Sequence, residues 1–379
     1  MFEQLLAITR NTFYESIRQP IMLVVVVIST ILLVMSNPLS AFTMSDDQKM
    51  LIDIGMSTVF FSGALLAAFI ATNVLGREIE NRTALTVISK PVGRPLFVIG
   101  KFLGVGGALA LAMLFLSLVF MLVELHSVIQ TVRDPLHLPV LTFGIGAAVL
   151  GLGAAVWCNY FYGKVFASSV VCFTTPLLAL AYLLSLMFRF DFATQNIGES
   201  FKSQVWLALF GVLIAILVLA AIAITASTRF GQVMTLSITV GVFLLGLLSD
   251  WIIARKIQAI RGNWLERATE QGLTRTIEVK RHINMLGGEV QTITESAVVP
   301  NQGVVLGDFA HGAESFAYAF WNMCYAVVPN FQAMWLSDAV TQEHIIPGGY
   351  MATVTLYGAV SIILALSAAV ILFQRREVG

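Results

Sequence analysis

Eight long stretches of this chain hold no Asp, Glu, Lys, Arg or His: 21–36, 54–75, 102–123, 139–157, 165–188, 205–228, 233–249 and 351–373. Crossing a hydrocarbon layer of about 30 Å takes about 20 helical residues at 1.5 Å each. The runs therefore predict eight membrane-spanning helices, at 20–36, 54–75, 97–123, 139–160, 165–188, 205–228, 232–253 and 350–373. The expected fold is an all-α polytopic membrane protein. Composition agrees: 12% of residues are charged, against about 25% in soluble domains. The 22 basic and 22 acidic residues balance, which leaves no basic excess for nucleic acid. Three cysteines without a CxxC pair exclude a disulfide framework or a Cys-rich zinc module.

The spans divide the chain into a membrane domain at 1–253, an extracytoplasmic segment at 254–349, and a last span with its tail at 350–379. No cleavable signal peptide is expected at the start. Residues 2–18 instead read as an interfacial helix, with Phe2, Leu5, Leu6, Phe13 and Ile17 on one face and Gln4, Asn11, Glu15 and Arg18 on the other. Pro20 suits the first turn of the span that follows. Positive-inside counting places both termini in the cytoplasm. Arg10, Arg18, Arg77, Arg82, Lys90, Arg94, Lys101, Lys164, Arg229, Arg375 and Arg376 then lie inside, against Lys49, Arg133, Arg189 and Lys202 in short outer loops. Arg255, Lys256 and Arg261, directly after the seventh span, run against that bias.

In the 254–349 segment, Ile253, Ile257, Ile260, Trp264 and Ala268 extend a helical stripe that Gln271-Gly272 closes. Residues 273–306 have only a weak strand-like alternation at Ile277 and Val279. A second amphipathic helix is predicted at 309–327. Phe309, Ala313, Phe316, Phe320, Cys324 and Val327 share one face, and His311, Glu314, Tyr318, Trp321, Asn322 and Tyr325 the other. Tyr and Trp beside polar groups suit a membrane–water interface; packing inside a small outer domain is the alternative.

Familiar catalytic patterns are missing. Gly100-Lys101 is followed by Phe102, so no GxxxxGK[ST] phosphate loop exists, and neither HExxH nor GxSxG occurs. No ionisable group falls in a span core, where ion-coupled carriers place them. Asp308, His311 and Glu314 are the best candidates for a divalent ion, with the solvated face of a helix as the plainer reading. Glu124, His126 and His137 read as ordinary loop polarity. Cys158, Cys172 and Cys324 read as packing residues, and Gly100, Gly104 and Gly107 as a face for close helix contact.

The inner loop 76–101 is longer than a bare connection needs. Residues 77–88 can form a short helix with Glu78 and Arg82 one turn apart. Ile79, Leu85 and Ile88 give it an apolar side, and Pro91 ends it. A docking knob and a solvated connecting loop both fit.

Here the sequence resembles the permease subunits of ABC-2-type ABC transporters, on Glu78, Glu80, Thr83, Ser89, Pro91, Val92, Arg94, Gly100 and Lys101. Pro329-Asn330-Phe331 and the C-terminal Phe373-Gln374-Arg375-Arg376-Glu377 also look like that group, as does the helix at 2–18. The chain departs from the common six-span core by two spans and a longer outer segment. The resemblance implies a multi-pass inner-membrane permease, more often an exporter, working as two copies or with a close relative. It implies a separate ATP-binding subunit that holds ATP and Mg, while this chain binds no cofactor or metal and hydrolyses nothing. Residues 77–90 would be the coupling helix, with Arg77, Glu78, Ile79, Glu80, Arg82, Thr83, Leu85, Ser89, Pro91 and Arg94 meeting that subunit. An ion-coupled secondary carrier and a multispanning membrane enzyme are the rival readings.

Overall fold

The computed structural model describes residues 2–43, 46–80, 93–129, 134–285 and 290–374. It divides into two units, Met1–Val240 with Gly348–Gly379, and Gly241–Pro347.

All eight apolar runs are helical. Seven helices are long and apolar enough to cross a membrane, and an eighth joins them if a pair bent by 54° is one span. The chain is a multi-pass membrane protein. In order, α1 is Phe2–Ile17, α2 Pro20–Ser40, α3 Asp47–Glu80, α4 Arg94–His126, α5 Leu138–Tyr162, α6 Phe166–Leu186, α7 Ser203–Ser227 and α8 Gln232–Leu247. The second unit adds α9 (Arg255–Glu270), β1 (Thr274–Asn284), β2 (Val290–Pro300) and α10 (Glu314–Val327), and α11 (Gly348–Gln374) returns to the first.

In the first unit α4 is the hub, touching α1, α2, α3, α5, α6, α7 and α11. Its 33 residues span about 50 Å, longer than a hydrocarbon core of about 30 Å. Residues 94–96, expected to lie in the loop before the span at 97–123, belong to its first turn. Pro95 fits there because a first-turn N–H has no helical partner to lose. Buried side chains surround α4, and Phe120 fills the space left by Gly55 of α3. A polar clasp inside the bundle joins α2 to α3: the Ser29 and Ser62 hydroxyls lie 2.5 Å apart. By contrast α2, α5 and α11 turn large apolar side chains outward, among them Ile28, Ile145, Leu150 and Leu364. In a membrane helix this is the surface for lipid or another helix.

In the second unit the span predicted to reach residue 253 stops earlier. After Leu247 the chain bends and passes through a π-helical turn, Asp250–Ala254, into α9. Asp250 accepts hydrogen bonds from the Tyr325 hydroxyl at 2.8 Å and from Asn330 Nδ2 at 2.9 Å, which fastens the turn from the side. The predicted cap at Gln271-Gly272 is present. Gly272 takes φ +70°, and the amides of Gly272 and Leu273 donate to Thr269 and Ala268 carbonyls at 2.9 Å.

Beyond it β1 and β2 form an antiparallel hairpin, with Thr274 opposite Pro300 and Asn284 opposite Val290. The hairpin is largely exposed. With no face to bury, its sequence has no reason to alternate, which accounts for the weak signal. Phe331 is fully buried. Its ring lies 5.9 Å from that of Phe243, its amide donates to the Gly246 carbonyl at 3.3 Å, and a Cβ on Gly246 would strike both its ring and the Pro329 carbonyl.

Candidate functional site

Of the expected coupling residues, Arg77, Glu78, Ile79 and Glu80 continue α3 as its last residues; their side chains lie outside the described residues. So do Arg82, Thr83, Leu85, Ser89 and Pro91. Arg94 opens α4. Residues 81–92, which hold most of the predicted coupling helix 77–90, lie outside the described residues.

The start of α4, directly after those residues, is well defined. Gly100, Gly104 and Gly107 lie along one face of α4, and α1 settles into the groove they leave. A Cβ on Gly104 would stand 2.5 Å from Thr12 Cβ and 2.7 Å from the Thr9 carbonyl oxygen, and one on Gly100 would stand 2.8 Å from Ile8 Cγ2. This corrects part of the predicted face of α1. Leu5, Phe13 and Ile17 of that face do turn toward α4, but Ile8, Thr12 and Ser16 face inward with them, while Phe2 and Leu6 stay exposed. Small Thr and Ser side chains permit a closer approach than the predicted large ones. Lys101, buried at this contact, meets Glu15 at 3.5 Å and lies 5.7 Å from the Phe97 ring centre. Arg94 Nη1 donates to the Gln374 carbonyl at 2.7 Å, and Phe97 stacks on Phe373 at 5.9 Å. Arg94, Phe373 and Gln374 belonged to separate parts of the family-like pattern; the fold brings them together.

Gly104→Leu should lift α1 from α4, because the opposing Thr9 carbonyl is backbone and cannot swing away. The overpacking costs about 1–3 kcal/mol. Trypsin should then cut at the exposed Arg10 and Arg18 faster than in the wild type, whereas Gly153→Ala, which meets nothing within 4 Å, should leave the rate unchanged.

At the opposite end of the same unit the sequence reading missed a cluster. Glu124, taken as loop polarity, is 1% exposed and lies within α4. Its Oε1 accepts from Gln48 Nε2 at 2.9 Å and pairs with Lys202; Oε2 has no partner among the described residues. Trp206 Nε1 donates to the Tyr182 hydroxyl at 3.2 Å. Elsewhere along α4, an apolar cavity of about 440 Å³ is lined by Val34, Met35, Leu122, Ile145 and Leu178, with Thr30, Asn37 and His126 as its polar side chains. His137, just before α5, accepts a hydrogen bond from the Val140 amide at 3.4 Å; burial, and then the neighbouring His126, hold its pKa below the ordinary value, which favours the neutral ring. The available signal was opposite charge at the same-side ends of two spans, Glu124 and Lys202.

No group of three His, Cys, Asp or Glu side chains among the described residues could hold a metal. Glu314, one of the three metal candidates, is committed elsewhere: Arg267 reaches it at 2.6 and 2.8 Å, Trp264 Nε1 at 2.9 Å and the His311 amide at 3.1 Å. The Arg267 guanidinium, then the His311 amide, lower its pKa from 4.5 to about 2. A carboxylate depressed on folding stabilises the folded chain above its unfolded value and loses that contribution as pH falls toward the folded one. The α9–α10 contact should therefore weaken between about pH 4.5 and 2. An acid titration of melting temperature checks this: Arg267→Gln should start lower at neutral pH and respond less across that window.

No family model and no curated protein matches the chain.

Proposed function

We propose that this chain is the permease subunit of an ATP-driven transporter of the ABC-2 type, an exporter working as two permease copies with two ATP-binding subunits on the cytoplasmic side. The observation that carries the reading is the clasp at the start of α4, directly after the expected coupling residues. There α1 sits in the glycine groove and α11 is held through Gln374 and Phe373. A force applied there is delivered to α4, the helix that touches most of the others. The chain itself has no phosphate loop, so the force needs a separate motor that holds ATP and Mg.

The test is co-expression with an ATP-binding subunit carrying GxxxxGK[ST], followed by purification and an ATPase assay. Two permease copies and two motor copies, with hydrolysis stimulated by the permease, are expected. A chain that transports alone on an ion gradient would overturn the reading. The rival of an ion-coupled carrier draws on one observation, the buried Glu124. That carboxylate, however, lies two residues from the end of α4 rather than near the midplane, where coupling groups are placed, and it is already paired with Lys202.

A further inference from the structure

Along α10, one side is tied down and the other is bare. Glu314 is held by Arg267 and Trp264, the Tyr318 ring lies 4.9 Å from that of Trp264, and Tyr325 donates to Asp250. These ties set α10 antiparallel to α9, with its C-terminal end beside the point where the chain leaves α8. The aromatic–polar face expected at a membrane surface is thus spent on protein contacts. Phe316, Phe320, Met323 and Val327 form the opposite stripe, with Ala319 between them, and Phe316 and Val327 are more than three-quarters exposed, at 76% and 77%. After Glu314 the helix carries no charged residue.

We propose that α10 is an interfacial helix whose Phe316–Val327 stripe is set into the headgroup–acyl boundary of the adjoining leaflet. Its position argues for this. Four residues beyond Val327, Phe331 is buried against Phe243 and Gly246 of α8, so the stripe begins at the edge of the apolar layer. The 54° bend after α8 sets the rest. A helix of 14 residues is about 21 Å long; alongside α9 at that tilt it climbs only about 12 Å along the direction of α8. The polar zone of a bilayer is about 5–8 Å deep on each side, and interfacial helices bury an apolar face about 5–10 Å into the headgroup–acyl boundary. Val327, Met323 and Phe320 fall within that zone and Phe316 at its upper limit.

The alternative occupant, a second copy of the chain, fits less well. One face of a short helix offers a few hundred Å², against about 800 Å² per partner in a stable interface. The basic residues that oppose the positive-inside bias also find a place. Arg255, Lys256 and Arg261 are exposed on α9 within three turns of the bend, at the level of lipid phosphates, and none pairs with a carboxylate among the described residues.

The test uses the full chain, with Cys158, Cys172 and Cys324 replaced by Ser, in nanodiscs of phosphatidylethanolamine and phosphatidylglycerol. Single cysteines at Phe316→Cys, Met323→Cys, Val327→Cys and, on the exposed side of α9, Gln258→Cys carry an environment-sensitive fluorophore. Added phosphatidylcholine with a doxyl group high on its acyl chain serves as quencher. Blue-shifted, quenched emission is expected at Val327 and Met323, weaker quenching at Phe316, and none at Gln258. Blue-shifted emission without quenching, with cross-links between copies at Met323→Cys, would assign the stripe to a second copy and overturn the proposal. Water-like emission at all positions would overturn it too. Equal melting temperatures across the variants establish that each reports the native fold. The result does not depend on the transport reading, because no motor subunit is present.

Discussion

Lys202→Met is expected to destabilise the purified chain by about 2–3 kcal/mol, and adding Glu124→Gln should recover most of the loss. Glu124 is 1% exposed, so its charge has little water around it. Removing one partner of a buried ion pair costs about 3–5 kcal/mol because the other charge is left uncompensated. Lys202 keeps 44% of its side chain exposed, and solvent screening reduces the figure. Gln48 still donates to Oε1, yet one neutral amide cannot replace an ammonium. With Glu124→Gln the uncompensated charge disappears, while the carbonyl oxygen can still accept from Gln48. Thermal unfolding in detergent measures the effect. A single Lys202→Met variant as stable as wild type, or a double variant no better than the single, would show that the pair does not hold this end of α4 to α7.

That pair marks where the sequence stopped being legible. A hydropathy run ends at a charge, so the third span was read as ending before Glu124. What buries Glu124 is Lys202, 78 residues further on, and no local window contains both. The same limit applies at α8. The span was read through Asp250 to residue 253, whereas the bend depends on Asp250 meeting Tyr325 and Asn330 from the far side of the hairpin. The spans themselves were legible because crossing hydrocarbon is a demand on composition alone. The β1–β2 hairpin was not, since an exposed ribbon imposes no pattern. At the candidate site the glycines at 100, 104 and 107 were visible as a face, and Leu5, Phe13 and Ile17 were grouped on the side of α1 that turns to α4, but the rest of that side was not legible. Periodicity favoured Phe2 and Leu6; the groove favours Ile8 and Thr12. Arg94 and Gln374 could not be joined from sequence, because their link is a side chain to a backbone carbonyl 280 residues away.

The largest functional effect is expected in the segment that carries the proposed function. If residues 77–90 seat in a groove of an ATP-binding subunit, the docking depends on fixed charges and one apolar side. Glu78→Lys and Arg82→Glu each put like charges one turn apart, which costs only a few tenths of a kcal/mol in helix stability. Such a loss cannot unfold a bundle of spans held through α4. In a docking groove, however, a misplaced charge facing one of like sign costs several kcal/mol, enough to abolish binding at micromolar affinity. Both variants, and Ile79→Asp, should therefore insert and melt like wild type but lose co-purification with the motor and its stimulated ATPase. Lys49→Glu provides the comparison. Lys49 is exposed and pairs with Asp46 at 3.2 Å, a contact worth about 0–1 kcal/mol, at the other end of the bundle; it should leave both readouts unchanged. Should Glu78→Lys and Ile79→Asp bind the motor and support transport at wild-type rates, residues 77–90 are a connecting loop. The clasp of α1, α4 and α11 around Arg94 would then serve the stability of the bundle alone.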